Sequence, residues 1–492
     1  MKQQEIGKTP LDSQVSCEYT LREDLLAGKP VAGEKPEDAA VILARLVART
    51  HYGHLPPKVI EVAKVAVLDT IACALGGSAT EMIDELLGLV RDWGGKKEST
   101  ILVHGDRVPA PVAALVNGMQ GHALDYDSTY DGPVKPGIAA VPAALAIAER
   151  KGKVSGKELI PAVAVGCEVI MRMGLTPLSW DGFNVANTMG YFGAAAACGK
   201  VLGLNEEQMV NCLGLAYAQT TGENEGIREA TLSKRLNRGL LSWGGVFAAL
   251  MAQRGMTAAR NSLEGPYGLY NLHHRGRYNR EVLLTGLGKT WEVEKLYFKA
   301  YPSGTCTHAP IDAALVVANN SEFVPDRVRE IVARLRVEEY YNLTCTPIEA
   351  KRTPKNVVDS QFSIPYIVAS ALVDKKVNID TFSEEAIKRP QILALAQKVK
   401  AELHEAVPGG RLEAGAEVDV IMDDGRVFKG EVNRAKGTPE NPMTDKDFAD
   451  KLYDCAAHAA KRIPPAKLDR LLSMTRNLEQ LDDVSKLAKA VS

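Results

Sequence analysis

From about Pro36 to Leu204 the chain reads as helix almost without interruption, and those helices are built from unusually small side chains. The extreme is Gly193-Ala-Ala-Ala-Ala-Cys-Gly199, where nothing larger than a cysteine occurs. Helices of this kind approach one another closely, so this half must form a compact bundle. No internal period marks a repeat array or solenoid. The boundaries are signalled locally. Pro56-Pro57 can open a helix; Ile60, Ala63, Val67, Ile71 and Ala74 recur at helical spacing; Gly76-Gly77 closes it. Ser155-Gly-Lys-Glu158 is a capping box for a helix ending near Gly174, and Asn205-Glu-Glu-Gln208 is the same device with asparagine as the cap.

The texture changes after Trp291. Val328 to Tyr341 contains an alternation that predicts a strand, and Glu417 to Val432 predicts two strands around an Asp424-Gly425 turn. Between them, Ser363–Val373 and Glu384–Leu403 read as helices. The tail from Thr444 is helical again, with Thr444-Asp-Lys-Asp447 an imperfect capping box. The expected fold is mainly α. A large all-helical domain formed by residues 33–290 and 444–492 is interrupted by an α+β lid domain at 291–443, and residues 1–32 form an N-terminal extension.

Composition excludes several classes. Lys+Arg 59 against Asp+Glu 61 leaves a net charge of −2, which is no footprint for nucleic acid. No uncharged apolar run is long enough to span a membrane, and the first residues lack a signal peptide's apolar stretch. A soluble, cytoplasmic protein is expected. The eight cysteines are scattered without a Cys-x-x-Cys pair, so reduced structural thiols are expected rather than a metal ribbon.

Chemistry concentrates in His122-Ala-Leu-Asp-Tyr-Asp-Ser-Thr-Tyr-Asp131, a polar loop between two apolar helices. Loops held by a rigid scaffold are where function sits, although aspartates here could equally cap helix amides. His122, Asp125, Asp127 and Asp131 could also hold a divalent ion. The stretch opening at Asp127 imitates a calcium loop, but its twelfth position is Ile138. Gly286-Leu-Gly-Lys-Thr290 imitates a phosphate loop, but Leu283 stands where the first glycine is required. Two basic clusters remain: Arg228 to Arg238, which includes Lys234, and Lys299-Ala-Tyr-Pro-Ser-Gly-Thr-Cys-Thr-His308. The first reads either as a solvated helix face or as an anion site.

Together, His122-Ala-Leu-Asp-Tyr-Asp-Ser-Thr129, Leu232-Ser-Lys-Arg-Leu, Lys299-Ala-Tyr-Pro-Ser, Thr307-His-Ala-Pro-Ile-Asp312, Gln361-Phe-Ser-Ile-Pro-Tyr366 and Gly437-Thr-Pro-Glu-Asn-Pro442 resemble the MmgE/PrpD family in both content and order. That family includes 2-methylcitrate dehydratase, cis-aconitate decarboxylase and iminodisuccinate epimerase. The resemblance implies a small polycarboxylate substrate, a homodimer, no cofactor and no metal. Its chemistry is a lyase reaction through carbanion character beside a carboxylate. Epimerisation of an amino- or imino-dicarboxylate, or a non-catalytic binding role, are the alternatives. It also implies that the His122–Asp131 loop is a site, with Asp125, Lys234, Lys299, Lys135 and Tyr341 (or its neighbour Tyr340) as catalytic candidates. Thr129, Asn184, Arg228, Arg238, His308 and His122 are the substrate-binding candidates. Departures stand beside the matches. Lys135-Pro-Gly137 replaces a family His-Pro, Asn184 follows Gly182-Phe183 where histidine is usual, and Lys234-Arg-Leu-Asn237 replaces Lys-x-Leu-His. Lysine and asparagine in place of two histidines imply a substrate other than 2-methylcitrate or cis-aconitate.

Overall fold

Close packing of small residues is literal here. In the computed structural model a Cβ added at Gly193 would lie 2.8 Å from the Gly166 carbonyl oxygen, and one at Gly166 would lie 2.9 Å from that of Gly193. The helices Gly156–Gly174 and Val185–Leu202 therefore meet backbone to backbone, and any larger residue at that crossing would push them apart. The structure describes residues 36–131, 133–178, 183–229, 231–404 and 414–492, without the side chains of 227 and 228. The N-terminal extension, Cys17, Gly182 of the departing motif and the Arg228 side chain lie outside these.

Residues Asp38–Ser492 form one structural unit with two main apolar cores. The larger core draws on residues from Ala39 to Phe298 and again from Leu452 to Val491. Its framework is the helices Pro57–Gly77, Ala110–His122, Pro136–Lys151, Gly156–Gly174, Val185–Leu202 and Ser233–Gln253. The returning helices Asp445–Ala457 and Pro465–Arg476 pack on Pro57–Gly77. The local signals for their starts hold, since the Ser155, Asn205 and Thr444 capping boxes all form. A two-stranded ribbon, Ser99–Thr100 with Arg107–Val108, interrupts this otherwise helical half.

The second core, from Tyr301 to Met422, packs beneath a four-stranded sheet. Its strand order is Val399–Leu403, Val328–Leu335, Ala416–Met422, Val427–Val432; the first pair is parallel and the others antiparallel. The helices His308–Ala318 and Ile364–Asp374 contact this sheet. Two sequence expectations need correction. The strand from Val328 stops at Leu335, and Tyr340 and Tyr341 lie on the helix Glu338–Cys345. Glu384–Leu403 is not one helix: Pro390–Ala396 is helical, while Val399–Leu403 is drawn into the sheet by pairing with Ile331–Leu335. Tertiary pairing overrides local propensity there. The two strands around Asp424-Gly425 form as expected. Among the described residues no helix is long and apolar enough to cross a membrane.

Candidate active site

The apolar helix Ala110–His122 ends at the histidine, and the chain turns sharply at Asp125, whose φ of 51° is left-handed. A non-glycine residue holds that conformation at a cost, and does so only when its surroundings dictate it. Here three lysines do. Lys299 Nζ donates to Asp125 Oδ1 at 2.6 Å and to its carbonyl oxygen at 2.8 Å; Lys234 Nζ donates to Oδ2 at 2.8 Å; Lys135 Nζ stands 3.8 Å from Oδ1. Burial would raise the Asp125 carboxyl, but the three ammonium groups outweigh it and hold it well below the usual range.

Each lysine arrives from a different element. Lys234 lies in the first turn of Ser233–Gln253, Lys135 immediately precedes Pro136–Lys151, and Lys299 occupies the segment joining the two cores. That segment is pinned to the loop by reciprocal backbone bonds between Thr129 and Tyr297 at 2.8 and 3.0 Å. Thr129 also turns its hydroxyl to the Val134 carbonyl at 3.3 Å. Lys299 is fully buried and spends its third proton on Ser303 O at 2.9 Å, so all its donors are committed to protein. Lys135 is the contrary case. Burial first, then the Lys299 charge, lowers it from 10.5 to about 7, against the pull of Asp125 and Asp127.

Behind this cage His122 Nδ1 pairs with Asp127 Oδ1 at 2.7 Å, both buried. Burial takes His122 down to about 4, so the imidazole is neutral. Against the effect of burial, the His122 partnership holds Asp127 ionised. The proton therefore sits on Nδ1, leaving Nε2 as an acceptor without a hydrogen-bond partner. Arg238, one turn beyond Lys234, is 3 % exposed, and its Nε and Nη1 also lack partners. Burial lowers it to about 10, so it stays charged at neutral pH. Four cations thus face two carboxylates.

His122, Asp125 and Asp127 come close enough to share an ion, without the expected fourth residue Asp131. Their donor set is otherwise engaged, since both Asp125 oxygens are held by lysines and Lys135 and Arg238 add further positive charge. The arrangement is suited to an anion. Beside it opens a cleft of about 170 Å³ lined by Thr129, Lys135, Cys306, Tyr340 and Phe362, and the Lys234 amine lies 4.7 Å from the Phe362 ring centroid.

Not every expected residue joins. Tyr340 lines the cleft, whereas Tyr341, on the next position of the same helix, does not. Asn184 caps Val185–Leu202: its oxygen accepts from Asn187 N at 3.1 Å and its amide donates to Asn224 at 3.0 Å, which ties the side chain to the start of that helix. His308 is buried and pushed well below its ordinary value by burial, and its Nδ1 meets the Tyr297 hydroxyl at 2.8 Å, fastening the joining segment. Gln361 was overlooked as a site residue although its motif was noticed; its amide bridges Leu124 O and Pro302 O, both at 2.9 Å. Asp69 and Lys451, described below, were also overlooked. A lone acid in an apolar helix was the available signal for the first.

The MmgE/PrpD N-terminal domain matches residues 41–281 and the MmgE/PrpD C-terminal domain matches residues 301–480. The chain belongs to the MmgE/PrpD family. Its relatives within reach include cis-aconitate decarboxylase of Homo sapiens, 27 % identical over 88 % of this chain and 90 % of that protein. Cis-aconitate decarboxylase of Mus musculus is 26 % identical over 89 % and 90 %, and that of Aspergillus terreus 26 % over 89 % and 92 %.

Proposed function

We propose that the protein is a lyase of MmgE/PrpD type acting on a small di- or tricarboxylate, without a metal, by proton transfer next to a carboxylate. One observation carries the reading: a buried site where Lys135, Lys234, Lys299 and Arg238 outnumber Asp125 and Asp127. Such a charge excess is costly until an anion completes it. Lys234, with protons to spare beyond Asp125, and Arg238, with unpartnered nitrogens, are the carboxylate holders. Lys299 fixes the position of Asp125, and Tyr340 replaces Tyr341 as the cleft tyrosine.

Lys135 is the acid–base group. In a decarboxylation the bond to a carboxyl carbon breaks, its electron pair stays on the substrate carbon, carbon dioxide leaves and the Lys135 ammonium protonates that carbon. In a dehydration the neutral amine removes the proton beside the carboxylate as hydroxide departs from the next carbon. A value near neutrality suits either role, because both forms are populated at working pH. Relatives named cis-aconitate decarboxylase support a lyase, and the lysine at position 135 supports a different substrate from theirs. Discrimination rests on Lys135 rather than Asn184, whose side chain is tied to the start of a helix.

Incubating the protein with candidate acids in deuterated buffer tests the reading. A decarboxylase is expected to place deuterium in product at the carbon beside a carboxylate; a dehydratase, whose alkene product takes up no solvent proton, is expected to form the alkene and to wash deuterium into recovered substrate without inversion. Deuterium entering recovered substrate with inversion would instead identify an epimerase, and thermal stabilisation without any exchange would identify a binding protein. Activity lost to a chelator and restored by a divalent ion would overturn metal independence. A cytoplasmic homodimer belongs to the same proposal, supported by exposed apolar side chains such as Phe247, which stacks on Trp243.

A further inference from the structure

A second buried ion pair lies at the back of the lysine cage. Asp69 sits in the apolar helix Pro57–Gly77 and is 1 % exposed; Lys451 projects from the returning helix Asp445–Ala457 and is 3 % exposed. Lys451 Nζ donates to Asp69 Oδ1 at 2.6 Å, to Tyr126 O at 2.8 Å and to Lys299 O at 2.9 Å. It also stands 3.9 Å from the centroid of the Tyr126 ring. An ammonium has three protons, and these three acceptors take them all.

The choice of acceptors matters more than the pairing. A lysine that served only to stabilise the fold could bond any buried carbonyls. These two belong to the residue after Asp125 and to Lys299 itself, the two ends of the 2.6 Å bond at the centre of the cage. One amine therefore sets the separation of the two backbones that present the Asp125 carboxylate and the Lys299 ammonium. Asp69 in turn holds that amine, and Asp125 keeps a left-handed backbone at a cost that its surroundings must offset. Lys299, so placed, is the charge that lowers Lys135 most.

We propose that Lys451, anchored by Asp69, is a positioning residue that fixes Asp125 against Lys299 and thereby creates the electrostatic setting in which Lys135 works; this rests on the reading of Lys135 given above. The variants Lys451→Met, Lys451→Arg and Asp69→Asn test it, each with two readouts. One is the thermal unfolding midpoint. The other is the pH at which Lys135 is half-modified by a small amine-reactive reagent in the folded protein, read by peptide mass spectrometry, which requires no turnover. Lys451→Met is expected to move the Lys135 midpoint upward by about 1 pH unit or more, as Lys299 withdraws and water enters. Lys451→Arg, which keeps the charge and several donors, is expected to recover at least half of that shift. Asp69→Asn is expected to shift it in the same direction by less. A lowered unfolding midpoint with Lys135 titrating as in the wild type makes the pair structural only and overturns the proposal. Should Lys451→Met fail to fold, Asp69→Asn, which preserves the acceptor's shape, is judged by the same rule. A wild-type Lys135 midpoint near the ordinary 10.5 overturns both readings; a depressed wild-type midpoint left unmoved by substitution overturns this one alone.

Discussion

Replacing Lys135 with methionine is expected to make the protein more stable and less active at once. Its amine is brought from 10.5 to about 7, so keeping it protonated in the fold costs on the order of 5 kcal/mol at low pH. The unfolded chain holds that proton up to about pH 10 and the folded protein releases it near 7. The native state therefore binds fewer protons between those values, and wild-type stability rises with pH across that window. Below pH 7 the whole penalty is present; near pH 10 it has gone. Methionine retains the apolar stem and carries no charge, and the contact given up is only a 3.8 Å approach to Asp125. With an unfolding entropy of about 2 cal/mol/K per residue, a unit of this size shifts by roughly 1 °C per kcal/mol. Lys135→Met should then melt about 3–5 °C above wild type at pH 6, with the gap closing towards pH 10. Thermal scans of both proteins at half-unit pH steps give the answer. A gap of constant size from pH 6 to 10, or a variant less stable at pH 6, would refute a depressed lysine at this position. Loss of the acid–base group should meanwhile cut turnover by about 100-fold or more.

Lys299→Met should behave in the opposite way, losing roughly 3–5 kcal/mol of stability by calorimetry, because it takes the buried donor from Asp125 Oδ1 and from the Asp125 and Ser303 carbonyls. Its turnover, on any acid the wild type converts, should also fall by about 100-fold or more. Lys234→Met should keep the fold by circular dichroism while kcat falls by about the same factor, since this lysine holds Asp125 from beside the cleft residue Phe362. Arg238→Gln should raise KM more than it lowers kcat; steady-state kinetics showing the reverse would remove it from carboxylate binding. The pH–rate profile separates the two lyase chemistries. A decarboxylase that needs the Lys135 ammonium loses activity as pH rises through about 7, and a dehydratase that needs the free amine loses it as pH falls through the same value. Turnover of 2-methylcitrate or cis-aconitate at rates ordinary for the family would refute the specificity assigned to Lys135.

What could be read from the residues follows how local each signal is. Capping at Ser155, Asn205 and Thr444 depends on four consecutive residues, so the helix starts were legible without a structure. The loop from His122 was legible because its polar residues interrupt two apolar helices. Its geometry was not: nothing nearby in sequence shows that Asp125 collects amines from positions 135, 234 and 299. Lys451 carries no local signal, and only the packing of its helix against Pro57–Gly77 buries it. Tyr340 and Tyr341 are inseparable in the sequence because the resemblance is gapped around them, and the alternation of their segment predicts a strand. As a helix it points neighbouring residues about 100° apart, which brings one of the pair to the cleft. Asn184 was read as a recognition residue when its position before a helix allowed the simpler role of a cap.

The cage also imposes an order on the protein's biogenesis. Asp125 bonds a lysine 174 residues downstream, and the following residue bonds another 325 residues downstream. During synthesis at roughly 5–20 residues per second, the acidic loop would leave the ribosome about 15–65 seconds before its last counter-charge exists. Lys135, Lys234 and Lys299 emerge earlier, but the amine that bonds the backbones on both sides of the Asp125–Lys299 contact comes only with the last helices. The cage can therefore close only late, after most of the helices around it have been made.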